Sequence, residues 1–137
     1  MEKKYYRYYM IEITKIEELQ YIVNKDPRVI LVVFTSDWCT PCNLLIPQLQ
    51  ELEKRFANKC IVINIDIYKY KAFMNFFALQ SIPSMIYYYN KKIWDALTIT
   101  GANIGTAYEN VSILLTEHND GVQPMIHALN LDSTNLS

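Results

Sequence analysis

Thr35-Ser36-Asp37-Trp38-Cys39-Thr40-Pro41-Cys42 decides the reading of this chain. Two cysteines separated by two residues can close a small disulfide with little backbone movement. Here they stand between an apolar run, residues 29–34, and a helical pattern from Asn43 onward. The stretch therefore reads as a strand, a tight turn and a helix N-terminus. A thiol in the first turn of a helix meets unpaired backbone N–H groups and the positive end of the helix dipole, both of which favour thiolate over thiol. Cys39 is the expected nucleophile, and Cys42, one turn further in, the resolving thiol. A fall in pKa from ~8.5 to ~7 would raise the thiolate fraction at neutral pH from roughly 3% to about half.

Outward from this turn, the run 29–34 is apolar throughout, which suits a central parallel strand covered on both faces. Before it, residues 8–13 have aromatic and β-branched character and read as a first, edge strand. Thr14 and Glu17 then fit a capping box, with Ile16, Leu19 and Val23 at helical spacing and Asn24 and Pro27 ending the helix. After the cysteines, Leu45, Leu49, Leu52 and Phe56 form one buried helical stripe. Pro47 falls inside it, and a kink is expected there. Residues 60–65 form a second near-continuous apolar run, read as another central strand and closed by Asp66. Residues 69–79 read as a third helix, broken by Ser81-Ile82-Pro83-Ser84. Two further strands, 85–89 and 93–99, are joined at Asn90-Lys91-Lys92 as a hairpin. Past Gly101, Ile104, Tyr108, Val111 and Leu115 mark a last helix capped by Asn103. The order β-α-β-α-β-α-β-β-α gives an α/β fold, a central mixed five-stranded sheet flanked by helices on both faces.

At 137 residues the chain suits one core. Residues 1–118 are expected to form that domain, and 119–137 a C-terminal extension whose segment 122–131 reads either as a short extra helix or as a partner-binding tail. A net charge of −1 with interspersed signs offers no electrostatic footprint for nucleic acid or an anionic membrane. The Tyr-rich opening carries charges with no apolar run of signal-peptide length behind them, so a cytoplasmic location is expected. There a cysteine pair is catalytic or metal-binding rather than a staple. For zinc, a second ligand pair is missing: Cys60 stands alone, and His118 and His127 are distant from it and from each other. Cys60 reads as a small buried hydrophobe. Tyr87 to Tyr89 and the tyrosines near the N-terminus read as packing and strand residues rather than a ligand platform.

With these motifs in place the chain resembles the thioredoxin family. The resemblance rests on Trp38-Cys39-Thr40-Pro41-Cys42, Pro47 in the following helix, Asn64-Ile65-Asp66, Ile82-Pro83 and Gly101. It implies a cis peptide bond before Pro83, and a shallow groove around Cys39 lined by Trp38, Thr40, Pro41, Ile82, Pro83, Gly101 and Ala102. It also implies a thiol-disulfide oxidoreductase that reduces protein disulfides through Cys39 and Cys42, without metal or organic cofactor, as a monomer recharged by a thioredoxin reductase or glutathione. The competing reading is a binding or recruitment module with weak or redox-sensing cysteines. The sequence departs from the family pattern at Val33 and Val62, where a buried aspartate and its lysine partner are usual, at Thr40 in place of glycine, and at Asn43 in place of a basic residue.

Overall fold

The computed structural model describes residues 10–116. A mixed sheet of six strands among these residues runs in the order β1-β3-β2-β4-β5, with β6 also paired to β4. β2 (Val29–Thr35) is its centre, and all seven of its residues are buried. It pairs in parallel with β3 (Cys60–Asp66) and antiparallel with β4 (Ser84–Tyr89). β1 (Ile11–Glu12) adds a parallel edge to β3.

Alternation along β2 divides the core in two. Ile30, Val32 and Phe34 face the side covered by α1 (Ile16–Lys25) and α3 (Ala72–Phe77), packing with Leu19, Ile22, Phe73 and Phe77. Val29, Leu31 and Val33 face α2 (Thr40–Arg55) and α4 (Ile104–Leu115), meeting Leu45, Leu49, Leu52, Val111 and Leu114. Each fully buried leucine of that stripe is worth roughly 1.5–3 kcal/mol. Tyr87 and Tyr88, both 0% exposed, fall on opposite faces as neighbours on a strand must.

Several boundaries differ from expectation for identifiable reasons. The expected first strand pairs only at Ile11–Glu12, and its residues 8 and 9 lie outside the described residues. The N-cap of α1 is Lys15, not Thr14, and the N3 acid is Glu18, not Glu17. The Glu18 carboxylate reaches back to accept the N–H groups of Thr14 (2.7 Å) and Lys15 (3.1 Å). α2 continues unbroken through Pro47, whose missing N–H leaves the Asn43 carbonyl without its helical donor. α3 is shorter than residues 69–79, because Asp66 first holds Tyr68 and Lys69 in a turn and Ala78 ends the helix in a left-handed conformation (φ 53°).

The fifth strand is the largest departure. Residues 93–99 form two short pieces, β5 (Lys92–Ile93) and β6 (Ile99–Thr100), separated by a turn of 3-10 helix, Asp95–Leu97, so the sheet has six strands rather than five. Trp94 and Leu97 both turn into the α2/α4 core, a spacing of three that a strand cannot provide. The Trp94 indole N–H donates to the Tyr89 carbonyl (2.9 Å), and the Asn110 amide of α4 donates to the Leu97 carbonyl (3.0 Å). The hairpin itself turns on Asn90 and Lys91, both with positive φ, as a two-residue connection between twisted strands requires. The boundary expected at residue 118, the extension 119–137 and both histidines lie outside the described residues.

Candidate active site

Cys39 and Cys42 are joined as a disulfide, with Cα atoms 5.2 Å apart. Cys39 is the N-cap of α2, placed there because β2 ends at Thr35 and three residues carry the chain over the sheet's end. The Cys42 N–H donates to Cys39 Sγ (3.2 Å). This is one of the orphan donors of a helix start, and it points at the sulfur that would carry charge once the disulfide is opened. The two sulfurs differ in access. Cys42 is 0% exposed, while Cys39 keeps a 5% opening to solvent beside Trp38, which is 65% exposed.

The peptide bond between Ile82 and Pro83 is cis. Because β4 runs antiparallel to β2, the start of β4 lies at the same end of the sheet as the end of β2, and this brings Ile82 and Pro83 to the cysteine end. Gly101 follows β6 at the same end; its N–H donates to the Pro83 carbonyl (2.8 Å), and its φ of +100° favours a residue without Cβ. Thr40, Pro41 and Ala102 are exposed, Gly101 and Ile82 half-buried, and Pro83 buried. The sequence-predicted groove residues thus gather at one end of the sheet from three separate segments.

Val33 and Val62 are both 0% exposed and packed in the α2/α4 core, so the position of the family's buried charged pair is filled by aliphatic contacts. A buried carboxylate does exist on that face: Glu53, 2% exposed, accepts the Val62 N–H (2.9 Å). Burial pushes its carboxyl up to about 7, against the pull of that N–H and of Arg28. It lies eleven residues beyond Cys42 on α2, roughly 16 Å along the helix axis. It therefore serves the far end of the sheet and does not stand in for a base at Val33. Cys60 begins β3 at that far end, about 20 Å of strand from the cysteine pair. It is buried, a free thiol whose pKa burial raises, and out of reach of Cys39 and Cys42 as a co-ligand. No cluster of three or more metal-ligating side chains occurs among the described residues.

The thioredoxin family model matches residues 10–110. The chain belongs to the thioredoxin family. It is 30% identical over 74 residues to thioredoxin Y2, chloroplastic, of Arabidopsis thaliana, a match covering 54% of this chain and 44% of that protein. Against thioredoxin of Buchnera aphidicola subsp. Baizongia pistaciae it is 30% identical over 84 residues, 61% of this chain and 76% of the relative. The chain spans under half the length of thioredoxin Y2 of Arabidopsis thaliana and of thioredoxin Y of Oryza sativa. Among solved structures, thioredoxin from Trypanosoma brucei brucei superposes with a TM-score of 0.72 at 16% identity, covering 85% of this chain and 97% of that one. Chloroplastic thioredoxin z gives 0.70 at 20% identity, covering 79% and 96%. The thioredoxin fold is therefore established for this chain.

The sequence reading missed Tyr68 at this thioredoxin site, and took Asn43 only as the replacement of a basic residue. Asn43 donates from Nδ2 to the Asp37 carbonyl (3.2 Å), tying the second turn residue to α2. Tyr68, 45% exposed, sets its ring against Trp38 with centroids 5.0 Å apart and planes at 63°. The signal for Tyr68 was an aromatic residue in a turn just past the strand-ending Asp66, where no core face required one.

Proposed function

We propose that the chain is a protein-disulfide reductase working by dithiol exchange. The observation that carries this reading is the asymmetry of the pair: Cys39 reaches solvent and faces a helix N-terminal N–H, while Cys42 is sealed beneath it. In the reduced protein the Cys39 thiolate attacks one sulfur of a substrate disulfide. A bond forms from Cys39 Sγ to that sulfur, and the other substrate sulfur leaves as a thiolate. Cys42, deprotonated, then attacks Cys39 Sγ, closing the intramolecular disulfide and releasing the second substrate thiolate. Two electrons pass to the substrate, which takes up two protons. Water accepts the Cys42 proton, since Val33 offers no base.

Ile82, together with Trp38, Thr40, Pro41, Pro83, Gly101 and Ala102, forms the surface on which a substrate strand rests during the mixed-disulfide stage. Neither metal nor organic cofactor enters these steps. An external dithiol, a thioredoxin reductase or glutathione, returns the pair to the reduced state. The protein acts as a monomer in the cytoplasm on folded proteins with accessible disulfides.

The Cys42→Ser variant tests this reading. Incubated with an oxidised protein substrate, it is expected to accumulate a mixed disulfide through Cys39, seen as a mass adduct that dithiothreitol removes. Failure to trap any adduct, with partners still bound when both cysteines are serine, would favour a recruitment module instead.

A further inference from the structure

The active-site turn is braced from the β3 side by a short segment, Asp66 to Lys69. The Asp66 carboxylate accepts the N–H groups of Tyr68 and Lys69, both at 3.0 Å, and the Ile67 N–H donates to the Thr35 carbonyl (3.1 Å). Two side-chain contacts then cross between the segments. Trp38 meets Tyr68 ring to edge, and Lys69 Nζ lies 3.7 Å from Asp37 Oδ2. The rings remain 65% and 45% exposed, far more than ring packing requires. Their charged neighbours are paired with each other.

Sheet order fixes where this platform stands. β3 and β4 flank β2 on opposite sides, so the Ile82–Pro83 wall and the Tyr68 ring lie on opposite sides of Cys39. We propose that Tyr68 extends the Trp38 wall of the groove, and that the two rings together select disulfides whose attacked cysteine is flanked by a bulky apolar or aromatic residue. The inference deepens the reductase reading above and rests on it. The occupant follows from continuity with the reacting atom. Trp38 is the residue next to Cys39, Tyr68 is in contact with Trp38, and a substrate sulfur bonded to Cys39 carries its own neighbours across whatever adjoins that sulfur. Two exposed aromatic rings offer apolar area to a neighbouring side chain, and Lys69 and Asp37 at their rim, 3.7 Å apart and opposite in sign, leave no net charge there to draw a charged one.

The experiment uses peptides Gly-X-Cys-X-Gly joined through the cysteine to nitrothiobenzoate, with X as Phe, Leu, Ala or Lys. The aromatic thiolate is the better leaving group, so Cys39 attacks the peptide sulfur and its release is read by absorbance. The reduced wild-type protein is expected to react about 3- to 10-fold faster with the Phe and Leu peptides than with Ala. Tyr68→Ala is expected to bring that ratio below about two, and Tyr68→Phe to keep it. An unchanged ratio in Tyr68→Ala would overturn the proposal. So would an equal loss for all peptides, which would make Tyr68 a brace for the turn only, and so would a wild-type preference for Lys. No release from any peptide would overturn the reductase reading itself, and the selectivity with it.

Discussion

At the scale of single residues, Glu53 is where this chain carries an energetic penalty that its pH behaviour should reveal. The carboxylate is enclosed between α2 and β3, and burial raises its pKa to about 7, well above the 4.5 of an exposed glutamate. The native state therefore holds a proton that the unfolded chain releases. Its contribution to stability is complete below about pH 4.5 and is lost as pH rises through about 7. Glu53→Gln keeps an oxygen to accept the Val62 N–H and removes the charge, though it also deprives Arg28 of a favourable neighbour. Denaturant unfolding at pH 5 and pH 8 is expected to show a flatter dependence in the variant, with a gain at pH 8 on the order of 1–3 kcal/mol. An equally steep loss of stability in both proteins would show that Glu53 does not titrate in this window. Residue chemistry was largely legible beforehand at the cysteines, because spacing and a helix start are local facts. Glu53 was not, since one glutamate in an amphipathic helix looks like any other until the neighbouring strand is placed.

At the scale of elements, legibility followed how many independent signals agreed. β2 is an apolar run up to Thr35, β3 one interrupted by Asn64, and α2 combines a periodic stripe with Pro41 in its first turn, so each was readable, the strands to within one residue of their ends. Asn103 was readable as a cap and accepts the Thr106 N–H at 3.0 Å. The cap of α1 slipped by one because Glu17 and Glu18 stand in tandem and either completes the pattern. Residues 93–99 could not be resolved locally. Ile93, Trp94, Leu97 and Ile99 are all apolar and all buried, and only the packing of Trp94 and Leu97 against α4 selects a helical turn over a strand. This makes Asn110 the residue that holds the interrupted edge to α4. Asn110→Ala leaves the Leu97 carbonyl without its donor and opens space in the core. A loss of about 1–3 kcal/mol in unfolding free energy is predicted. A loss under about half a kcal/mol would mean that the edge is held by Trp94 and Leu97 packing alone.

At the scale of the whole molecule, the fold separates two tasks along one axis. Parallel β2 and β3 and antiparallel β4 deliver the cysteine turn, the Tyr68 turn and the cis proline to one end of the sheet. Glu53, Arg28 and the buried thiol of Cys60 lie toward the other end, where β2 and β3 begin. Apolar Val33 and Val62 fill the interior between them, so the chemistry at the cysteine end runs without an internal charged pair. A mixed sheet with helices on both faces was legible in outline from the order of elements, but the order of the strands within it was not. The pairing of Tyr68 with Trp38 was not, because it joins two turns thirty residues apart. The central claim is that Cys39 and Cys42 operate as a reducing couple. The most direct measurement is their reduction potential, obtained by equilibrating the protein in glutathione buffers and labelling free thiols. The account predicts a value near or below the cytosolic poise, roughly −220 to −320 mV. A value near about −120 mV, where the dithiol form is favoured, would contradict it and make the protein an oxidant.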